Sequence, residues 1–375
     1  MKNTCNFQMM LNKENLVETF LNERSGNPVF LYGIGAGVIW YIKLFENLSI
    51  PIAGLCDGFI EEEKEISFDD ESKKTYKAYP LERVYENYGL VDYVIAAPKH
   101  RRKIKETLEK GMYSGIYIFD AAPIVLQGRM PEEYREYVKN NIGRFETVYK
   151  MLEDEASKRV MLNCMAGWIT SDCNYYEKTA SSSQYFPDIV RKVISGEEVF
   201  VDVGAFDGDS IEEFLNCVGG DKFKKVIAFE PEPISFNKGK DKYSDPRISF
   251  YQYGVGNKND TMNIVYANGA EGTMLSAGKG EQKEDRKVEI IRLDDFIQDK
   301  VTYVKMDIEG MELEALKGAE RSIKRDTPKL AISIYHKMED MIEIIDYINR
   351  INPKYKFYMR HYWDCSGTDV VLFAL

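Results

Sequence analysis

Between Val199 and Ser210 the chain reads VFVDVGAFDGDS, and few folds can accommodate that stretch. Val199, Phe200, Val201 and Val203 form an apolar, β-branched run carrying one carboxylate, Asp202. The run breaks at Gly204 and reaches Gly208 and Asp209 before Ile211, Phe214 and Leu215 take up helical spacing. The pattern predicts a buried strand, a glycine turn and a helix start. Glycines let the main chain approach a ligand closely, and the unpaired amides of a helix start favour a carboxylate or phosphate. Phe206 stands where a dinucleotide fingerprint would need its middle glycine, so the spacing is not G-x-G-x-x-G.

Three later segments repeat the theme of an apolar strand with a polar exit. Lys225 to Glu230 (KVIAFE) ends on a carboxylate, at the position that hydrogen-bonds a ribose diol in a doubly wound sheet. Thr302 to Asp307 (TYVKMD) continues as DIEGME into a helix, and Lys329 to His336 (KLAISIYH) ends on a histidine. Four strands thus deliver Asp202, Glu230, Asp307 and His336 to one edge. Ligands of open α/β sheets bind outside the carboxyl ends of the strands, which places a site there.

DVGAFDGDS, FEPEP, RLDDF at Arg292 to Phe296, YVKMDIEGMELEALKGAE and PKLAISIYH together resemble the FkbM family of S-adenosylmethionine-dependent methyltransferases. The closing RHYWDCSGTDVVLFAL is similar to that family's terminal hairpin, so the resemblance spans roughly residues 184 to 375. It implies a class I methyltransferase domain over 191–375, Rossmann-like, with a mostly parallel seven-stranded sheet. It also implies S-adenosylmethionine as cofactor and O-methylation of a sugar, glycan or related small molecule. Cofactor contacts are then expected from Asp202, Gly204, Ala205, Gly208, Glu230, Pro231 and Asp307.

The chemistry narrows the catalytic candidates. Methyl transfer is an in-line displacement that needs donor and acceptor held close, aligned and dry. Asp202 either fixes the glycine loop or receives the donor's amino group, while Asp209 and Ser210 read as first-turn residues. A sugar hydroxyl is a poor nucleophile at neutral pH, so a general base or a metal should activate it. Of the three histidines, His336 is the expected base and His361 follows it, whereas His100 belongs to an N-terminal helix. Asp307 and Glu309 can orient the histidine, hold the donor's cationic end or bind a divalent ion, and Glu309 can alternatively cap the next helix. No metal site is indicated.

N-terminal to this region, PVFLYGIGAGV at Pro28 to Val38 is a second strand and glycine turn. A helix through Trp40, Ile42, Leu44 and Phe45 follows, then strands at Ile52 to Cys56, Asp92 to Ala97 and Gly115 to Phe119. The alternation predicts a smaller Rossmann-like α/β domain over 1–125 with about four parallel strands. Asp57 stands near where a ribose-binding acid would lie, but Val38 and Trp40 occupy the third-glycine positions. Nucleotide or nucleotide-sugar binding is therefore the lesser expectation, and packing or docking the greater. The rival enzyme class, a nucleotide-sugar oxidoreductase or epimerase, also lacks a Tyr-x-x-x-Lys pair near a cofactor.

Residues 126–190 read as a helical connector, with Tyr134, Val138 and Ile142 in helical spacing and a polar loop at 163–183. Gln184 and Tyr185 are candidate lids, although a hydrophobic staple formed by Tyr185 and Phe186 is the greater expectation. The polar stretch 266–286, with Thr273 and Ser276, is a candidate acceptor-recognition loop. Sixty-one acidic against 50 basic residues, a formal charge of -11, exclude a nucleic-acid backbone as main partner. The basic run Lys99 to Lys105 (KHRRKIK) reads as a solvated helix face rather than an anion site. Six cysteines without a C-x-x-C pair read as reduced thiols of a cytoplasmic protein. No membrane span or export signal is expected, and the oligomeric state is open.

Overall fold

A computed structural model describes residues 2–35, 38–68, 74–111, 117–119, 130–220, 222–266, 273–276, 287–363 and 365–375. The N-terminal sheet contains β1 (Val29–Tyr32), β2 (Ile52–Cys56), β3 (Lys64–Ser67), β4 (Thr75–Tyr79), β5 (Asp92–Ile95) and β6 (Ile118–Phe119) in the order β3-β4-β2-β1-β5-β6. Six strands stand where about four were expected. Of the two unforeseen ones, KEIS is mostly exposed and TYKAY buries only Ala78 and Tyr79, so neither carries the apolar run that marks a buried parallel strand. Ala36, Gly37 and Gly115 of the expected turn and last strand lie outside the described residues.

The second half supplies β7 (Val199–Val203), β8 (Lys225–Phe229), β9 (Ile248–Tyr251), β10 (Gly254–Val255), β11 (Asp260–Tyr266), β12 (Thr273–Ser276), β13 (Lys287–Ile291), β14 (Tyr303–Met306), β15 (Lys329–Ser333), β16 (Phe357–His361) and β17 (Val370–Ala374). Seven of these form one sheet, β16-β17-β15-β14-β7-β8-β9, parallel except for β17, which runs antiparallel to β15 and β16. The order reverses between β7 and β14, which makes their exits the topological switch point. A four-stranded sheet, β10-β13-β11-β12, stands beside it. Most of the stretch between β11 and β13, and the side chains of Thr273 and Ser276, lie outside the described residues.

Two aromatic and aliphatic layers sandwich the large sheet. On one face Phe186, Phe200, Phe214 and Tyr303 pack with ring centroids 4.8 to 5.9 Å apart. Full burial of each such ring stabilises the fold by about 1.5–3 kcal/mol. On the other face the helices Pro131–Asn140, Ile142–Met151 and Glu155–Thr170 join the core of the sheet through Tyr134, Phe145, Met161 and Trp168. Phe7, Met10 and Leu11 of the first helix, Lys2–Leu11, enter that same core rather than the N-terminal one.

The loop expected over 163–183 begins eight residues later than its first residue, because the helix runs on to Thr170. Cys164, Met165, Trp168 and Ile169 keep helical spacing and are buried, an apolar stripe that outweighs the flanking polar residues. Among the described residues no helix is long and apolar enough to cross a membrane.

Candidate functional site

At the exit of β7 the chain turns through Gly204 (φ +81°) and Gly208 (φ +83°), left-handed conformations that side chains resist. A Cβ on Gly204 would lie 1.9 Å from the Asp307 carbonyl oxygen, so the turn is pressed against the exit of β14. The Gly204 and Ala205 amides both donate to the Phe229 carbonyl, at 2.9 and 3.0 Å, which fixes the turn against β8 as well.

Asp202 is fully buried and fixes this loop. Its carboxylate pairs with Lys305 at 3.1 Å and accepts from the Ser210 hydroxyl, while Lys305 also donates to the Gly204 carbonyl. These contacts are the ones that the loop-fixing role of Asp202 calls for. Burial raises the Asp202 pKa despite Lys305, and Lys305 keeps a raised pKa against burial because Asp202 and Asp307 face it. Ser210, read as a helix-start residue only, turns out to tie that helix to the strand.

Glu230 leaves β8 nine-tenths buried. Its two oxygens accept from the amides of Phe206 (2.8 Å) and Glu232 (2.9 Å). A carboxylate offers about four acceptor sites, so two remain for a diol. Burial raises its pKa even against those two amides. Phe206 adopts φ +47° and stays 43 % exposed, a strained conformation for a bulky residue at the mouth of the turn. Glu232, on the far side of Pro231, caps the next helix by accepting from Ser235 N at 2.6 Å.

The exits of β14 and β15 build a charged cluster. His336 is 6 % exposed, with Nδ1 2.9 Å from Glu312, and Nε2 3.6 Å from Asp307 and 3.5 Å from Glu309. Burial pulls its pKa down, but Glu312, Asp307 and Glu309 prevail and push it up to about 10. The carboxylates thus favour the protonated form of the expected base, which faces them as the cation of an ion-pair cluster. Burial opposes the charge on Asp307, yet His336 and Lys305 hold its pKa below the usual range. Tyr185 donates to Asp307 at 2.6 Å and Tyr335 at 3.3 Å. Glu309 sits at φ +55°, ahead of the helix Glu312–Gly318 rather than capping it, and burial raises its pKa. Asp307, Glu312 and His336 each offer one atom within 4.8 Å of the others, a spacing that a cation could bridge. Glu312 already accepts from Ile308 N at 2.8 Å and faces His336, so the same atoms also close on one another as an ion-pair cluster.

Glu312 went unread in the sequence, although a carboxylate in line with Ala315, Leu316 and Ala319 on the buried face of its helix was a signal. Lys305 gave a similar one, a lone cation within an apolar strand. Asp369 gave none, since nothing local announces that the β16–β17 loop returns to Asp307. Burial and Asp307 raise its pKa to about 6, and it accepts from Gln184 at 3.1 Å. Gln184 and Tyr185 thus both reach the cluster, while Phe186 packs beneath it. His361 is not brought there. It is fully buried, with Nδ1 3.2 Å from Thr179 Oγ1 and Nε2 2.8 Å from the Ser366 carbonyl, so both ring nitrogens hold structure.

In the N-terminal sheet Asp57 spends its carboxylate on its own surroundings, accepting from Ile34 N at 3.3 Å and Phe59 N at 3.0 Å.

Residues 202–357 match the model of the methyltransferase FkbM domain. The whole chain is similar in fold to the crystal structure of methyltransferase FkbM from Methylobacillus flagellatus KT, with a TM-score of 0.72 and 21 % identity over 98 % of this chain and 95 % of that one. Two smaller likenesses cover about half of this chain. A putative rRNA methylase from Clostridium thermocellum gives a TM-score of 0.33 at 10 % identity over 50 % of this chain and 90 % of that one. Aeropyrum pernix fibrillarin, in complex with natively bound S-adenosyl-L-methionine, gives 0.31 at 8 % over 48 % and 69 %. No curated protein matches the sequence. The family resemblance and the class I fold read from the motifs are borne out.

Proposed function

We propose, from a chain that carries a methyltransferase FkbM domain over residues 202–357, that this protein is an S-adenosylmethionine-dependent O-methyltransferase acting on a hydroxyl of a sugar, glycan or related small molecule. The observation that carries the reading is the convergence of Asp202, Glu230, Asp307 and His336 on the exits of four adjacent strands around a turn that tolerates no Cβ at Gly204. Bound S-adenosylmethionine would supply the methyl group on a sulfonium centre. Glu230 would take the ribose diol with its two open acceptor sites, and the main chain at Gly204 and Ala205 would hold the methionine portion. Gly208 lets the helix begin at that turn, Pro231 directs the chain away from Glu230, and Asp307 holds the donor's cationic end.

Proton removal falls to Glu309. Its raised pKa makes it a stronger base than an ordinary carboxylate, and its side chain is 38 % exposed at the rim, whereas His336 already carries its proton. His336 orients Glu309 from 3.5 Å and balances the surrounding carboxylates. Tyr185 and Gln184 close one side and exclude water. A cytoplasmic setting accords with the spacing of the six cysteines, which form no C-x-x-C pair.

The test is calorimetric titration of the full chain with S-adenosylhomocysteine and, separately, NADH. Micromolar binding of the first and no heat from the second is the expected result. NADH binding without S-adenosylhomocysteine binding would move the chemistry to the N-terminal sheet.

A further inference from the structure

Two tyrosines far apart in the sequence meet on one carboxylate. Tyr185 lies just ahead of the short helix Asp188–Arg191, and Tyr335 follows β15. Their hydroxyls donate to opposite oxygens of Asp307, Tyr185 to Oδ2 at 2.6 Å and Tyr335 to Oδ1 at 3.3 Å. Burial, and then Asp307 itself, push both phenol pKa values well above the ordinary 10, so both groups keep the proton they donate. Each ring also rests against a cation. Lys305 Nζ lies 5.0 Å from the centroid of the Tyr185 ring, and the Tyr335 ring centroid is 4.1 Å from that of His336. Tyr185 is anchored through its main chain as well, its amide donating to Glu213 at 3.4 Å and its carbonyl accepting from the Tyr303 hydroxyl. It is a fixed strut rather than a swinging lid.

Asp307 thus stands between two cations without closing on either. His336 Nε2 is 3.6 Å from Oδ1, beyond the roughly 3.2 Å reach of an N–H···O bond. Lys305 spends its ammonium on Asp202 and the Gly204 carbonyl. A carboxylate left to itself beside a cation would shorten such a gap, because charge-assisted hydrogen bonds are shorter and stronger than neutral ones. The two phenols oppose that closure by drawing one oxygen toward the connector and the other toward the exit of β15. A carboxylate offers about four acceptor sites, so two phenols do not exhaust it. The Asp307 side chain is 19 % exposed, which leaves the remaining sites within reach of a ligand. An ammonium group, with three N–H donors and a positive charge, matches what such a carboxylate lacks.

We infer that Tyr185 and Tyr335 are positioning residues that clamp Asp307 and keep it from His336, so that its open acceptor sites meet the ammonium group of the methyl donor's methionine portion. The inference rests on the S-adenosylmethionine reading of this site and deepens it. The two phenols select the amino-acid end of the methyl donor, while Glu230 serves the adenosine end. Neither hydroxyl gives up its proton or touches the reacting carbon; each acts through Asp307.

Calorimetric titration of the full chain with S-adenosylhomocysteine and with its deamino analogue, which keeps the carboxylate and lacks only the amino group, isolates that end. The same two ligands are titrated into Tyr335→Phe and Tyr185→Phe/Tyr335→Phe, in which each ring keeps its place against its cation and only the hydroxyl is lost. The parent should favour S-adenosylhomocysteine by about tenfold or more, the worth of a hydrogen bond to a charged group. Tyr335→Phe should narrow that preference, and the double variant should bring it within about twofold while binding the deamino analogue as the parent does. A preference undiminished in the variants, or an equal loss of affinity for both ligands, would make the tyrosines mere wall residues and overturn the inference. Tyr335→Phe alone decides the matter should the double variant fail to fold. A parent that binds both ligands alike would overturn the clamp and leave the methyltransferase reading standing. A parent that binds neither would remove that reading, and the clamp with it.

Discussion

The chain builds a strand, glycine turn and helix twice, and the two copies differ in what surrounds the turn. After β1, Gly33 adopts φ +115° and packs against Ala96 and Ala97, and the nearby carboxylate, Asp57, is occupied by the amides of Ile34 and Phe59. After β7, Gly204 is wedged against Asp307, Lys305 ties the turn to Asp202, and Glu230 keeps open acceptor sites. The same topological slot is thus closed by apolar packing in one sheet and by buried charge in the other. Burying ionisable groups costs free energy unless they are paired, so a sheet edge that keeps several is organised for chemistry rather than stability.

The largest contrast should come from the glycines. Gly204→Ala places a methyl group 1.9 Å from a carbonyl oxygen at φ +81°, so we expect a loss of about 4 kcal/mol or more in denaturant unfolding, with S-adenosylhomocysteine binding abolished. Gly35→Ala meets no atom within 4 Å and should change stability by less than about 0.5 kcal/mol. Equal tolerance at the two positions would break the comparison.

Next in size is the paired carboxylate test. Glu230→Ala removes an acceptor of two ribose hydroxyls, and hydrogen bonds to a charged group are each worth about 1.5–3 kcal/mol. S-adenosylhomocysteine affinity, read by calorimetry, should fall by about a hundredfold or more. A variant that binds as well as the parent would move the diol away from β8.

The contrast between the turns also explains what could be read in advance. The seven-stranded sheet and the convergence of Asp202, Glu230, Asp307 and His336 were legible because each is a short apolar run with a polar exit. Glu309 and Tyr185 lay close enough to those motifs to be carried with them. Partners distant in sequence were not legible: Asp369 meets Asp307 only when β17 pairs with β15, and His361 is turned inward by Thr179 and the Ser366 carbonyl. The proton state of His336 was also out of reach, because it depends on how closely Glu312, Asp307 and Glu309 approach the ring once the chain has folded. The expected loop at 163–183 failed for a local reason, since polar composition was weighed above the spacing of Cys164, Trp168 and Ile169.

A pH titration sharpens the charged side of the comparison. His336 has a folded pKa raised to about 10 over an ordinary value near 6.5, so its contribution is complete below about pH 6.5 and is lost as pH rises through 10. We expect stability to fall on the order of 5 kcal/mol across that window, and His336→Gln to flatten it. Asp340 and Asp369, raised to about 7 and about 6, bind protons more tightly folded than unfolded and give a separate loss between about pH 4 and 7 that the variant retains. An unflattened profile in the variant would mean that His336 is neutral and restore it as a base.

The smallest effect is the most exacting. Asp57 satisfies two backbone amides at the end of β2, so Asp57→Ala should cost about 1 kcal/mol in unfolding, the ordinary worth of a lost side-chain cap. It should leave S-adenosylhomocysteine affinity unchanged, because on this account the first glycine turn holds no part of the donor. Loss of that affinity in a variant this mildly destabilised could not be charged to unfolding. It would show that the carboxylate serves a bound molecule rather than its own turn, and the division of labour between the two sheets would fall with it.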